Sequence, residues 1–200
     1  MLTIGITGGS GAGKSTVSEI IASFGGEAID ADRVYARLLN DSDAMLKELG
    51  RRFPDALLPD GRLSRRHLAE IVFSDKESLS DLNKIAHKFV IEETEKRMAE
   101  LYQRNVPHIT LDAIALIESG LSKICDFTIG VIAPRAVRLQ RICARDNIDS
   151  MAASARINAQ QPDEFYMENC DFIIVNDGEI DAVYEKTKEV FNLITKGSAE

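Results

Sequence analysis

The sequence predicts an α/β fold: a doubly wound parallel sheet of the P-loop NTPase type, with an inserted helical substrate lobe and a helical lid. Three observations predict it. Leu2-Thr3-Ile4-Gly5-Ile6 reads as a short buried strand that runs into a glycine-rich stretch, Gly8 to Thr16, and then into a helix. Further runs of strand length recur around 28–29, 108–112, 127–132 and 170–175, with helical periodicity between them, the alternation that builds a parallel sheet. Between the second and third of these runs, residues 33 to about 104 read almost wholly as helix.

The glycine stretch fits G-x-x-x-x-G-K-[ST], with Gly8, Gly13, Lys14 and Ser15 in the fixed places. Chance gives such a match in about one chain of this length in two hundred. A glycine turn with no ligand is the alternative, and the flanking strand and helix decide against it. Glycines let the backbone take positive φ and bring N–H groups close to phosphate oxygens. Gly9, Ser10, Gly11, Ala12, Gly13, Lys14, Ser15 and Thr16 are therefore the expected nucleotide contacts. Lys14, expected to be partly exposed, is placed to reach the β- and γ-phosphates, and the Ser15 hydroxyl to reach Mg²⁺. Val17, Ile20, Ile21 and Phe24 recur on one helical face, which Gly25-Gly26 ends.

Ala28 and Ile29 suit a short second strand with Asp30 and Asp32 at its carboxyl end, where open α/β sheets bind ligands. A helix then starts near Arg33, and one of the two acids could serve as its N-cap. Val34, Leu38 and Leu39, then Met45, Leu46, Leu49 and Phe53, mark successive helical faces. Pro54 to Gly61 is a loop, and Ser64 is placed to cap a helix bearing Leu68, Ile71 and Val72. A longer helix runs through Leu82, Ile85 and Phe89 toward Leu101. His108 to Asp112 reads as the third strand, and its terminal acid has the form that holds Mg²⁺ directly or through water. Phe127 to Ile132 is the fourth strand.

Arg138, Arg141 and Arg145 follow at i, i+3 and i+7, one helical face in an acidic chain. Such a stripe is either a solvated face or a lid turned toward phosphate, for which guanidinium is well suited. A short helix is expected over 149–160, carrying Arg156 and Gln160 before Pro162. The last strand is Cys170 to Val175, with a turn at Asn176-Asp177-Gly178 and a closing amphipathic helix through Ile194; Lys196 to Glu200 are expected to fray. This gives a single domain over 1–200: a core of about 1–32, 105–137 and 168–195, an acceptor lobe of about 33–104, and a lid of about 138–167.

The net charge of −8 argues against general nucleic-acid binding, which needs a basic surface. Three well-separated cysteines with no C-x-x-C point to free thiols in a reducing compartment. His67, His87 and His108 have no metal-ligand spacing. No leader pattern and no apolar run of about 18 residues is evident, so a cytoplasmic protein without membrane association is expected, as a monomer or small homo-oligomer.

Taken together these motifs resemble the dephospho-CoA kinases over nearly the whole chain. Ile29-Asp30-Ala31-Asp32 is similar to that family's I-D-A-D motif, and Asp60-Gly61-Arg62-Leu63-Ser64-Arg65 to its D-G-x-L-D-R stretch. Arg156 to Pro162 matches its R-I-x-x-Q-x-P segment, and Asp171 to Gly178 its C-terminal motif. The chain departs at Ser64, at Lys88 after His87, in lacking a basic residue soon after Pro162, and in lacking a proline between Asp112 and Glu118. The resemblance implies transfer of the ATP γ-phosphoryl group to the 3′-hydroxyl of dephospho-CoA, with Mg²⁺. It implies catalytic roles for Asp32, Lys14 and Arg141, and nucleotide contacts from Arg138, Arg145 and Asn176. Acceptor contacts fall to Asp32, Arg65, His87, Asp112 and Glu118, and metal contacts to Ser15 and Asp112. Another small-molecule kinase acting on a nucleoside or nucleotide, or a non-catalytic nucleotide switch, would share the loop. Asn83-Lys84-Ile85-Ala86 lacks the acid of a guanine-reading N-K-x-D motif.

Overall fold

In the computed structural model, which describes residues 1–197, five strands lie side by side and all parallel. They are β1 (Leu2–Thr7), β2 (Glu27–Asp30), β3 (His108–Asp112), β4 (Phe127–Ile132) and β5 (Phe172–Val175), ordered β2-β3-β1-β4-β5 across the sheet. The connection out of β1 runs one way across the sheet, past β3 to β2, and the connection out of its neighbour β3 runs the other way, past β1 to β4. The carboxyl end of β1 is therefore a topological switch point, where such sheets bind ligands.

The helices are α1 (Lys14–Ser23), α2 (Ala31–Asp41), α3 (Asp43–Arg52), α4 (Arg65–Ser74), α5 (Lys76–Gln103), α6 (Arg135–Asp146), α7 (Ser150–Asn158), α8 (Asp163–Asn169) and α9 (Ile180–Gly197). Two compact units result: Met1–Asp30 with the described chain from Met98 onward, and Ala31–Arg97.

In the first unit, Ile4 and Ile6 of β1 and Ile129 and Val131 of β4 pack with Val17 and Ile21 of α1 and Val183 and Ile194 of α9. All eight are essentially out of water, and each such side chain contributes about 1.5–3 kcal/mol of burial. Strand starts are set by carboxylates. Thr3 N–H donates to Asp126 at 2.7 Å, and Thr128 donates to Asp171 through both N–H and hydroxyl, at 2.8 and 2.7 Å. His108 is a packed residue: its Nε2 lies 2.9 Å from the Ile21 carbonyl and its ring is 4.8 Å from that of Phe191. Cys125, Cys143 and Cys170 are all free thiols. Burial pushes the Cys125 thiol up to about 12, which disfavours its thiolate.

The second unit has its own core, in which Met45, Leu49 and Phe53 meet Leu68, Val72, Leu82 and Ala86. Ser42 caps α3 by accepting the Met45 N–H at 3.2 Å, and Ser64 caps α4 by accepting the His67 N–H at 3.3 Å. Between them, Leu57 bridges to Leu63 around a turn in which Gly61 has φ +81°.

Several boundaries differ from expectation. The second helix starts at Ala31, so Asp32 stands in its first turn and is not its cap. Helix α7 stops at Asn158, leaving Gln160 in the turn beyond it. Helix α8 was not anticipated. Pro162 and the acids Asp163 and Glu164 are sound start signals, but seven residues are too few to show a period. Lys196 and Gly197 are helical where fraying was expected; residues 198–200 lie outside the described residues. Among the described residues no helix is long and apolar enough to cross a membrane.

Candidate active site

The loop between β1 and α1 carries the glycine motif. Gly8 has φ +142°, and a Cβ there would come 2.1 Å from the Val131 carbonyl oxygen, so strand β4 leaves room for glycine alone. Gly13, at φ +95°, turns the chain into α1. The first helical bond of α1 runs from Val17 N–H to Gly13 O at 3.2 Å. The amides of residues 14–16 stand ahead of that ladder, at the positive end of the helix.

Three successive carbonyls of the loop are held from outside it. Ser10 O accepts from Arg138 Nε at 3.0 Å, Gly11 O from Arg141 Nη1 at 3.3 Å, and Ala12 O from Asn176 Nδ2 at 2.8 Å. Arg141 also donates to Asn176 Oδ1 at 2.9 Å, which joins the last two anchors. A planar peptide points its N–H opposite its C=O. Fixing these carbonyls therefore aims the Gly11 and Gly13 amides the other way, while Ala12 N–H closes a turn onto Gly9 O at 3.1 Å. A concave set of amides of this kind is an anion site.

Gln160 completes the frame. Its Oε1 accepts from Ser10 N–H and from Arg138 Nη2, each at 2.9 Å, and its Nε2 donates to Ser10 Oγ at 3.0 Å. The sequence reading placed Gln160 in a motif but gave it no role; a partner 150 residues away leaves no local signal. Arg138 is 5% exposed. Its buried guanidinium is supported by a carbonyl, an amide oxygen and, at 3.5 Å, the Asp163 carboxylate.

Lys14 is 8% exposed, buried where partial exposure was expected. It is the first residue of α1, directly after the left-handed Gly13. Ser15 Oγ donates to Asp112 Oδ2 at 3.0 Å, bringing together the two residues named as metal contacts. Asp112 is buried at the end of β3 and is paired in register with Ile6 on one side and Asp30 on the other. A hydroxyl and a carboxylate form a hard oxygen pair. They suit Mg²⁺, which keeps several waters and takes phosphate oxygens in place of a full protein cage. Thr16 follows in the first turn of α1.

The three arginines on α6 divide. Arg138 and Arg141 reach the loop, whereas Arg145 forms two bonds to its neighbour Asp146, at 2.8 and 3.0 Å, and Arg156 pairs with the same carboxylate. Those guanidinium hydrogen bonds, Arg145's foremost, hold the Asp146 carboxyl below its ordinary range. Glu118, exposed after β3, lines a cavity of about 210 Å³ with Gln160 and Tyr166. Burial, reinforced by the Glu118 charge, pushes the Tyr166 hydroxyl up to about 12.

The second unit holds the remaining named residues. Asp32 is exposed on α2, Arg65 opens α4 with Nη2 donating to Asn40 Oδ1 at 2.6 Å, and His87 is half-buried on α5. Among the described residues no group of three or more His, Cys, Asp or Glu is clustered to hold a metal.

Known proteins share this architecture. The dephospho-CoA kinase family model matches residues 2–182. A dephospho-CoA kinase of Carboxydothermus hydrogenoformans is 35% identical over 184 residues, 92% of this chain and 89% of the relative. The solved dephospho-CoA kinase of Campylobacter jejuni superposes with a TM-score of 0.67 at 28% identity, covering 98% of each chain. A shikimate kinase from Acinetobacter baumannii, at 17% identity and a TM-score of 0.58 over 100% of this chain and 96% of its own, shares the fold. The residues of the glycine loop, their anchors and a match spanning nearly the entire sequence make this chain a member of the dephospho-CoA kinase family.

Proposed function

We propose that this chain transfers the γ-phosphoryl group of ATP to the 3′-hydroxyl of dephospho-CoA, giving CoA and ADP. The observation that carries the reading is the externally anchored loop with the Ser15–Asp112 pair beside it. Phosphoryl transfer asks little covalent chemistry of a protein; it asks for positioning and neutralisation of spreading negative charge. Loop amides and Lys14 would hold the β- and γ-phosphates. Ser15 and Asp112 would hold Mg²⁺, which when bound neutralises charge on the phosphate oxygens. Asp32 would orient the acceptor hydroxyl and take its proton. Arg141 already donates to Gly11 O and Asn176, and would turn its remaining donors toward the transferred group. Arg65, His87 and Glu118 are assigned to the acceptor side, with Arg138 and Asn176 acting on the nucleotide through the loop.

A coupled assay with ATP, Mg²⁺ and dephospho-CoA tests this. ADP release dependent on dephospho-CoA is expected, with adenosine, AMP and shikimate failing to replace it. ADP release with a nucleoside acceptor but not with dephospho-CoA would move the chain to another small-molecule kinase. No acceptor dependence at all would leave a nucleotide-binding switch.

The arginines give a graded expectation. Arg141→Gln should lower turnover by about 100-fold, the scale of losing one preorganised donor to developing charge, while weakening ATP binding far less. Arg138→Gln should instead weaken ATP binding and lower the melting temperature, since Arg138 supports the loop. Arg145→Gln should change neither. Parallel nucleotide titration, turnover and thermal melts on the three variants read this. Equal effects from all three would contradict the division of α6.

A further inference from the structure

The backbone amide of Ser10, expected to face the nucleotide, donates instead to Gln160 Oε1 at 2.9 Å. What Ser10 can still offer is its hydroxyl. The residue is only 6% exposed, and Gln160 Nε2 donates to its Oγ at 3.0 Å. The direction of that bond is fixed by the rest of the carboxamide. Gln160 Oε1 meets two groups that can only donate, Ser10 N–H and Arg138 Nη2, so the other end must be the NH₂. An amide NH₂ accepts no hydrogen bond. Ser10 Oγ is therefore the acceptor, and its own hydrogen is turned away from Gln160. Among the described residues that hydrogen meets no acceptor. A nearly buried hydroxyl with an unspent hydrogen is stabilised when an acceptor arrives.

The loop offers one obvious acceptor, a phosphate oxygen. Gly13 and the amides of residues 14–16 gather at the start of α1, where the inner phosphates are cradled. Ser10 stands toward the other end of the loop. Arg138 of α6 holds its carbonyl, and Arg141, assigned above to the transferred group, holds the next one. The phosphate nearest that end is the outermost.

We propose that the Ser10 hydroxyl donates to the γ-phosphate of ATP, and that Gln160 is the positioning residue that aims it. The pair makes the loop sensitive to the third phosphate and favours ATP over ADP by one charge-assisted hydrogen bond. This assignment rests on the phosphotransfer reading above for its nucleotide, and the test separates the two. ATP and ADP, each with Mg²⁺, are titrated calorimetrically into the full chain without any acceptor. Ser10→Ala should weaken ATP about tenfold, the scale of one hydrogen bond to a charged group, and leave ADP nearly unchanged.

Gln160→Glu tests the aiming. Its carboxylate can keep both bonds now made by Oε1, one of them to the buried Arg138, so the melting temperature should stay at or above that of the wild type. Its second oxygen only accepts, and draws the Ser10 hydrogen toward itself and away from phosphate. ATP should again weaken about tenfold, with ADP little affected. The double variant separates this from repulsion by the added charge. In Ser10→Ala/Gln160→Glu there is no hydroxyl to turn, so ATP should bind no more weakly than in Ser10→Ala alone, whereas repulsion would add in full. Ser10→Ala, which loses no backbone contact, decides the hydroxyl's part should Gln160→Glu fail to fold.

Full additivity, unchanged ATP binding in Ser10→Ala, or equal losses for ATP and ADP would overturn the assignment even if dephospho-CoA is phosphorylated. The coupled pattern in a chain that phosphorylates no dephospho-CoA would uphold the pair and overturn the acceptor reading alone.

Discussion

Lys14→Ala is expected to lower acceptor-dependent ADP release by at least about 100-fold and toward 1,000-fold, the range for removing a preorganised charge from a developing oxyanion. Lys14 is 8% exposed at the first position of α1, so its charge belongs to a largely buried residue that water screens less than a surface lysine. Nothing in the loop replaces it. Arg138 is committed to the Ser10 carbonyl and Gln160, and the donors Arg141 keeps beyond Gly11 O and Asn176 are assigned to the transferred group and not to the place of Lys14. Lys14→Arg should fail nearly as badly, because a planar fork is a poor substitute for a compact charge in a closed loop. The fold should survive, since alanine is favoured in helices and no core side chain is lost. Turnover beside a thermal melt decides the matter. A folded Lys14→Ala protein with near-normal turnover would remove the loop from the chemistry.

Asp32→Asn should bind ATP nearly normally yet turn over at least about 100-fold more slowly, the scale of losing a positioned base. The two acids of the 29–32 motif are built differently. Asp30 ends β2, in register with Asp112 and half-buried, whereas Asp32 is exposed in the first turn of α2. A carboxylate in that first turn gains only about 0.3–1 kcal/mol from the helix dipole, so its amide variant should remain folded. It also needs no shifted proton affinity. In a loose transition state the hydroxyl proton leaves late, and orienting the nucleophile is the larger task. Asp30→Asn should cost more in melting temperature and less in turnover. The reverse pattern would exchange the two roles, and wild-type turnover in both would take the motif out of the reaction.

Much of this was legible because the signals are local. The third and fourth strands, 108–112 and 127–132, stood out as apolar runs with turn residues at their ends. Ser64 announced its helix because an N-cap is chemistry within three residues. What was not legible depends on partners distant in sequence. Spacing put Arg138, Arg141 and Arg145 on one face, but it could not show that Asp146 engages the last of them while the other two meet backbone carbonyls about 130 residues earlier. Lys14 looked exposed because a lysine in a glycine loop usually is. Its burial depends on the folded surroundings, which the motif letters do not record.

The frame around the glycine loop also has a consequence for biosynthesis. The loop is made first, yet the side chains that hold its carbonyls come from Arg138, Arg141 and Asn176, and its Ser10 amide from Gln160. A nascent chain that has displayed all of Gly8–Ser15 still lacks every one of these anchors until more than two thirds of it has been translated. Only when β5 is paired and Asn176 has emerged can the phosphate nest keep its shape, because such long-range closures form late. Chains cut short before Asn176 are thus expected to carry the motif without the anchors that shape it.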